Sequence, residues 1–149
     1  MADTHVKRIV EEIAALVNAT GKPEGLTVST SRTHPTPSNE QLKHIIVYPV
    51  RDTDADKQSR NRVFHGSHRQ LTVAIECLTA GTDMDNEQLR SWAYGQLMAD
   101  PSLGGKALNI AEGDTNWEGE ADSKTDYSLA ALEVLVEYVR PRNTLEVEE

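Results

Sequence analysis

Aromatic side chains are scarce in this chain: two tryptophans, four tyrosines and one phenylalanine make up 5% of its 149 residues. The core must therefore be built from aliphatic groups, and Phe64, Trp92 and Trp117 are the few large anchors open to a partner. Of these, Trp92 falls on an apolar helical stripe and belongs with the core. Cysteine is nearly absent. Cys77 is the only one, so no intrachain disulfide can form, and the chain suits a reducing cytoplasm. Its strand-like neighbourhood predicts a buried thiol rather than a reactive one. No stretch approaches the ~20 apolar residues that span a bilayer, and no basic region followed by an apolar core opens the chain, which predicts no export signal and no membrane partner. Asn18-Ala19-Thr20 fits a glycosylation sequon, but in a chain with this beginning it reads as coincidence. Positive charge is also short, with 15 Lys and Arg against 24 Asp and Glu. The net charge of -9 opposes adhesion to nucleic-acid backbones and anionic membranes.

What is present suffices for one domain. A chain of this length removes roughly 70% of its unfolded surface from water on folding. With 38% hydrophobic residues the core is modest, and part of the length is expected to be loop or arm. Val6, Ile9, Val10, Ile13, Leu16 and Val17 follow helical spacing, with Asp3 or Thr4 as N-cap and Gly21 and Pro23 as the stop. Residues 84–101 carry Leu89, Trp92, Ala93, Gln96 and Leu97 on one helical face, with Asp85 as the candidate N-cap and Pro101 past the last turn. Strand patterns cover 25–33, 43–50, 69–81, 106–111 and 127–141. The run Ile45–Tyr48 predicts a strand covered on both faces, whereas the alternation of Leu71, Val73, Ile75 and Cys77 predicts one facing the core on one side. Two helices and four to five strands, mostly consecutive, predict an α+β fold: a mostly antiparallel sheet with two helices packed on one face. The single domain is expected over 1–140, and the acidic 141–149 segment, without apolar periodicity, is expected to be a flexible tail.

Three patterns resemble ligand motifs and fail on geometry. Asp52, Asp54 and Asp56 begin like a calcium loop, but Lys57 and Val63 stand where a glycine and a bidentate glutamate are needed. His65 and His68 form a pair without further zinc ligands. No G-x-S-x-G elbow or recognisable Ser-His-Asp set occurs. In "PSLGGKAL" the glycines adjoin one another, Ala107 follows Lys106, and a helix precedes rather than follows, which reverses a phosphate loop. The reading that fits is a structural turn: Pro101 bars the helix, Leu103 tucks beneath it, and Gly104 and Gly105 admit positive φ. No catalytic residue, cofactor or metal is expected.

The helix ending in "MADPSLGGKALNI", the acidic loop with Trp117, the strand "HRQLTVAIECLTAG" and the long final strand "DYSLAALEVLVEYVRP" together resemble the tail terminator (minor tail) proteins of long-tailed bacteriophages. The similarity runs from the first helix to about Arg140, and residues 51–62 match none of its motifs. The resemblance implies an α+β structural protein of the virion, assembled in the host cytoplasm. Its subunits would form a hexameric ring at the head-proximal end of the tail tube, stop tube polymerisation and present the head-tail joining surface. Its partners would be other copies of itself, the major tail tube protein and a head-tail connector or neck protein, with DNA only as cargo passing through the lumen.

A ring requires a heterologous side-to-side contact, and a cap requires one face that matches the tube and another that refuses it. Two segments of opposite sign offer such a contact. The residues assigned to it are Arg60, Arg62, His65 and Arg69 on one side and Glu118, Glu120 and Asp122 on the other. Surplus acidic groups would keep passing DNA from sticking to the lumen. The alternatives are another neck component, either a connector or a tail completion protein, and a soluble partner-binding adaptor.

Overall fold

Thr4 starts the first helix: its side chain accepts the Lys7 N–H at 3.1 Å, satisfying one of the donors that every helix start leaves unpaired. Helix α1 (His5–Val17) then buries Ile9, Val10, Ile13 and Val17 along one stripe. The structure, a computed structural model, describes residues 3–30, 43–55, 66–120, 127–141 and 144–147. The second helix, α2 (Asp83–Met98), begins with Thr82, not Asp85, as its N-cap. Thr82 Oγ1 accepts the Asp85 N–H at 3.3 Å and the Asp85 carboxylate accepts the Thr82 N–H at 2.9 Å, a reciprocal box that uses both residues. The Thr82 backbone N–H, followed by its hydroxyl, holds the Asp85 carboxyl below its ordinary range.

Five strands form one sheet in the order β1-β2-β3-β5-β4: β1 (Leu26–Ser29), β2 (Lys43–Asp54), β3 (Gly66–Ala80), β4 (Asn109–Glu120) and β5 (Tyr127–Pro141). The β1–β2 pair is parallel and the other three pairs are antiparallel, so the expected α+β architecture with a mostly antiparallel sheet is present. One core cluster unites α1 and α2 with alternate residues of the sheet, among them Ile45, Val47, Val73, Ile75, Leu132 and Val134, which puts both helices on one face. Asn86, fully buried on α2, donates to Cys77 O at 2.7 Å and Ser128 O at 2.8 Å and so fastens the helix across the β3–β5 seam.

Three strand readings need correction. First, β3 is buried on both faces from Leu71 to Thr79. On the side away from the helices its Ala74 lies between Tyr48 and Glu133 in register, and Glu76 accepts the Tyr48 hydroxyl, so long neighbours cover short residues. Second, β2 does not stop at Val50 but crosses a bulge between Pro49 and Arg51 and continues to Asp54. A bulge or sheet flank is where proline is tolerated in a strand. Third, the acidic stretch after Ala111 is not a loop but strand, paired with β5 from Asn109 to Glu120 around a bulge between Glu112 and Thr115. At that bulge Gly113 passes so near β5 that a Cβ would lie 2.9 Å from Glu133 O.

The expected strand over 25–33 is formed at 26–29, and residues 31–33 lie outside the described residues. In the acidic C-terminal segment, expected to be free, 144–147 is tied to the N-terminus. His5 N–H donates to Leu145 O at 3.0 Å and Val147 N–H to Asp3 O at 2.8 Å. These are backbone bonds, which leave no side-chain pattern to read.

Candidate assembly surfaces

The Gly-rich turn between α2 and β4 is a closed structural device. Gly104 (φ 66°) and Gly105 (87°) take the positive φ that the turn reading expected, and the fully buried Leu103 before them is left-handed as well (51°), which it did not expect. Pro101 lies two residues past Ala99, the C-cap of α2. The Asp100 carboxylate accepts the Ser102 hydroxyl at 2.6 Å and the Gly104 N–H at 2.8 Å, and these bonds hold it below the ordinary carboxylate range. The Ser102 and Gly104 N–H groups that a phosphate loop would aim at its ligand are thus occupied by an anion of the chain itself. Lys106 reaches back to Glu12 of α1 at 3.8 Å.

At the end of the sheet where β2 and β3 form their hairpin, Asp52 gathers three groups. Arg69 Nε lies 3.2 Å from its Oδ1, the Tyr138 hydroxyl donates to its Oδ2 at 2.7 Å, and Arg69 Nη2 donates to its backbone carbonyl at 3.1 Å. The His5 ring stacks on Tyr138 at 6.1 Å, and burial, reinforced by Asp52, pushes the Tyr138 phenol up to about 12. Asp52, considered above for calcium, is a strand residue engaged with an arginine and a tyrosine, and Asp56 lies outside the described residues. His68 lies 3.4 Å from Glu137, and Arg51 lies 3.9 Å from Glu133. The Cys77 thiol is fully buried, and burial pushes it up to about 12, which makes it a poor nucleophile at neutral pH.

At the far edge, β4 carries Glu112, Asp114, Glu118 and Glu120. No strand pairs with its outer side among the described residues, since β4 ends the sheet order. Arg90 of α2 ties this edge to the body: it lies 3.0 Å from Glu87, 3.3 Å from the Thr115 hydroxyl and 3.7 Å from Glu112, and its guanidinium covers the Trp117 ring at 5.2 Å. The indole remains 42% exposed.

Of the residues expected at a ring joint, Arg69 is thus engaged with Asp52 in its own chain. Glu118 and Glu120 lie on β4, and Arg60, Arg62, His65 and Asp122 lie outside the described residues. Sequence reading passed over Arg90, the Asp52–Tyr138 pair and the Lys43 and Thr79 neighbourhood. The Glu87–Arg90 spacing of three was the only local hint of the first; the others join residues far apart in the chain. Comparison of the chain with protein-family models and with curated proteins found no match. No helix among the described residues is long and apolar enough to cross a membrane.

Proposed function

We propose that this chain is a tail terminator: a non-catalytic subunit that closes into a ring, caps the head-proximal end of a phage tail tube and offers the surface to which the head joins. The motifs of the helix-turn-strand segment and the long final strand suggest the family, and the observation that carries the reading is the inequality of the sheet's two edges. One edge is β4, twelve residues long and acidic; the other is flanked by β1 only at Lys43–Ile46. Unlike edges favour a heterologous contact, which generates rings when the rotation closes. From β2 through β3 and β5 to β4 the strand directions alternate, so rotation about an axis along the strands sets one copy's β4 antiparallel to the next copy's β2. The ring would be hexameric, would bind the major tail tube protein on one face and a connector or neck protein on the other, and would belong to the virion. Its acidic surplus would keep passing DNA mobile.

The test is negative-stain imaging and light scattering of the purified protein, alone and with tail tubes. Rings that seat on one tube end and block added tube subunits are expected. Binding to a head connector but not to tubes would move the protein to another neck position. A chain that remains a monomer and ignores both would sink the proposal.

A further inference from the structure

A cavity of about 560 Å³ opens beneath the N-terminal half of α2, on the helix-bearing face, with Pro23, Leu89 and Trp92 as its apolar walls. Two polar groups there lack a partner among the described residues. The Thr79 hydroxyl is buried without a hydrogen-bond partner among the described residues, and Lys43 forms no ion pair among them. The volume is typical of sites that enclose a large side chain or small ligand.

The register of the sheet indicates what fits. Lys43 pairs with Thr79, Thr79 with Ser128, and Ser128 with Gly119, so a single row crosses the sheet from the cavity to the segment around Trp117 on the opposite edge. Trp117 pairs with Ala130, which pairs with Cys77, two residues from that row and on the same helix-bearing face. The offset along the strand is roughly 7 Å. Rotation about an axis parallel to the strands therefore brings the Trp117 edge of one copy to the β1-flanked, cavity-bearing side of the next, at nearly the same height.

Chemistry agrees with geometry. Trp117 is one of the few exposed large hydrophobic side chains; Arg90 covers one face of its ring, and its indole N–H has no hydrogen-bond partner among the described residues. The adjacent Glu118 and Glu120 are opposite in sign to Lys43. An aromatic anchor with a donor at its edge, in a segment whose sequence is acidic, matches a cavity walled by Pro23, Leu89 and Trp92 and lined also by the Lys43 ammonium and the Asp85 carboxylate.

We infer that the occupant of this cavity is Trp117 of a second copy of the same chain, and that this insertion is the side-to-side joint of the ring. The inference rests on the ring-forming reading above and names its contact. Such a joint is heterologous: each copy donates one indole and receives one.

Sedimentation velocity on the full chain tests it, with circular dichroism as the check on folding. Trp117→Ala removes the anchor. Gln88→Trp, at an exposed position of α2 on the cavity rim, fills the receptor without touching the anchor. Each is expected to weaken association about ten-fold or more, the size of a central aromatic contact. Lys43→Glu should weaken it less and regain part of the loss when Glu118→Lys and Glu120→Lys are added. Rings that persist in folded Trp117→Ala and Gln88→Trp proteins would overturn the joint and leave the terminator reading intact. A wild-type chain that stays solitary at every concentration would overturn both.

Discussion

The β3–β5 seam and the β4 edge belong to one sheet and obey different rules. Along the seam, fifteen β3 residues face β5, both faces of β3 are buried from Leu71 to Thr79, and Asn86 bolts α2 across the pair. Along the edge, ten of the twelve β4 residues pair with β5, on one side only and interrupted by a bulge, and the strand is rich in carboxylates and held to the helix layer by Ile110 and Arg90. The contrast separates two uses of a strand. The seam excludes water and stabilises the fold, whereas the edge is kept soluble by charge and irregularity, as an unpaired edge must be until a partner covers it.

The sharpest way to break this contrast is to carve into both regions. Leu132→Ala, at a fully buried seam position, should cost about 2–5 kcal/mol in urea unfolding. Asn116→Ala, on exposed β4, should change stability by less than about 0.5 kcal/mol. Equal losses would mean that the edge is as much core as the seam.

Alkaline pH separates the regions next. Tyr138 on β5 titrates near 12 when folded and near 10 when unfolded, so the folded state holds the proton more tightly. Its contribution is complete below about pH 10 and disappears as the pH rises toward 12, a loss of about 3 kcal/mol. Cys77, raised in the same direction, adds to the loss from about pH 9 upward. Stability measured against pH should fall less steeply in Tyr138→Phe, and an unchanged slope would dissociate Tyr138 from the effect.

Smaller effects sharpen the comparison. Gly113→Ala forces a Cβ against Glu133 O at the bulge and should cost about 1–3 kcal/mol, a seam-sized penalty on the edge strand. Thr82→Ala removes the α2 cap and should cost about 1 kcal/mol by thermal unfolding, with Thr82→Ser restoring most of it.

Legibility followed the same divide. Helix α1, the long β5 and the buried core of β2 announce themselves through spacing because burial selects apolar residues at each repeat. Strand β4 beyond Ala111 did not: Gly113, Asp114 and Asn116 are poor strand formers, and pairing with β5 overrides their preference. Asp85 resembled a cap because aspartate is a good one; only the structure shows Thr82 preceding it in a reciprocal box. The Pro101, Gly104 and Gly105 parts of the turn were legible, since glycine and proline act through local backbone sterics, whereas the left-handed Leu103 was not. Of the proposed joint, the acidic partner and Trp117 were visible as composition, while Lys43 and Thr79 were not, because their meeting beneath α2 depends on strand register.

The amino-acid sequence alone determined the elements and the sheet-plus-helices class, because periodic burial and turn sterics are local. Strand order, the second buried face of β3, the engagement of Arg69 with Asp52 and the level that the cavity shares with Trp117 arise only in the tertiary structure. Each joins residues distant in the chain, and no local preference encodes which distant strand will supply the neighbour.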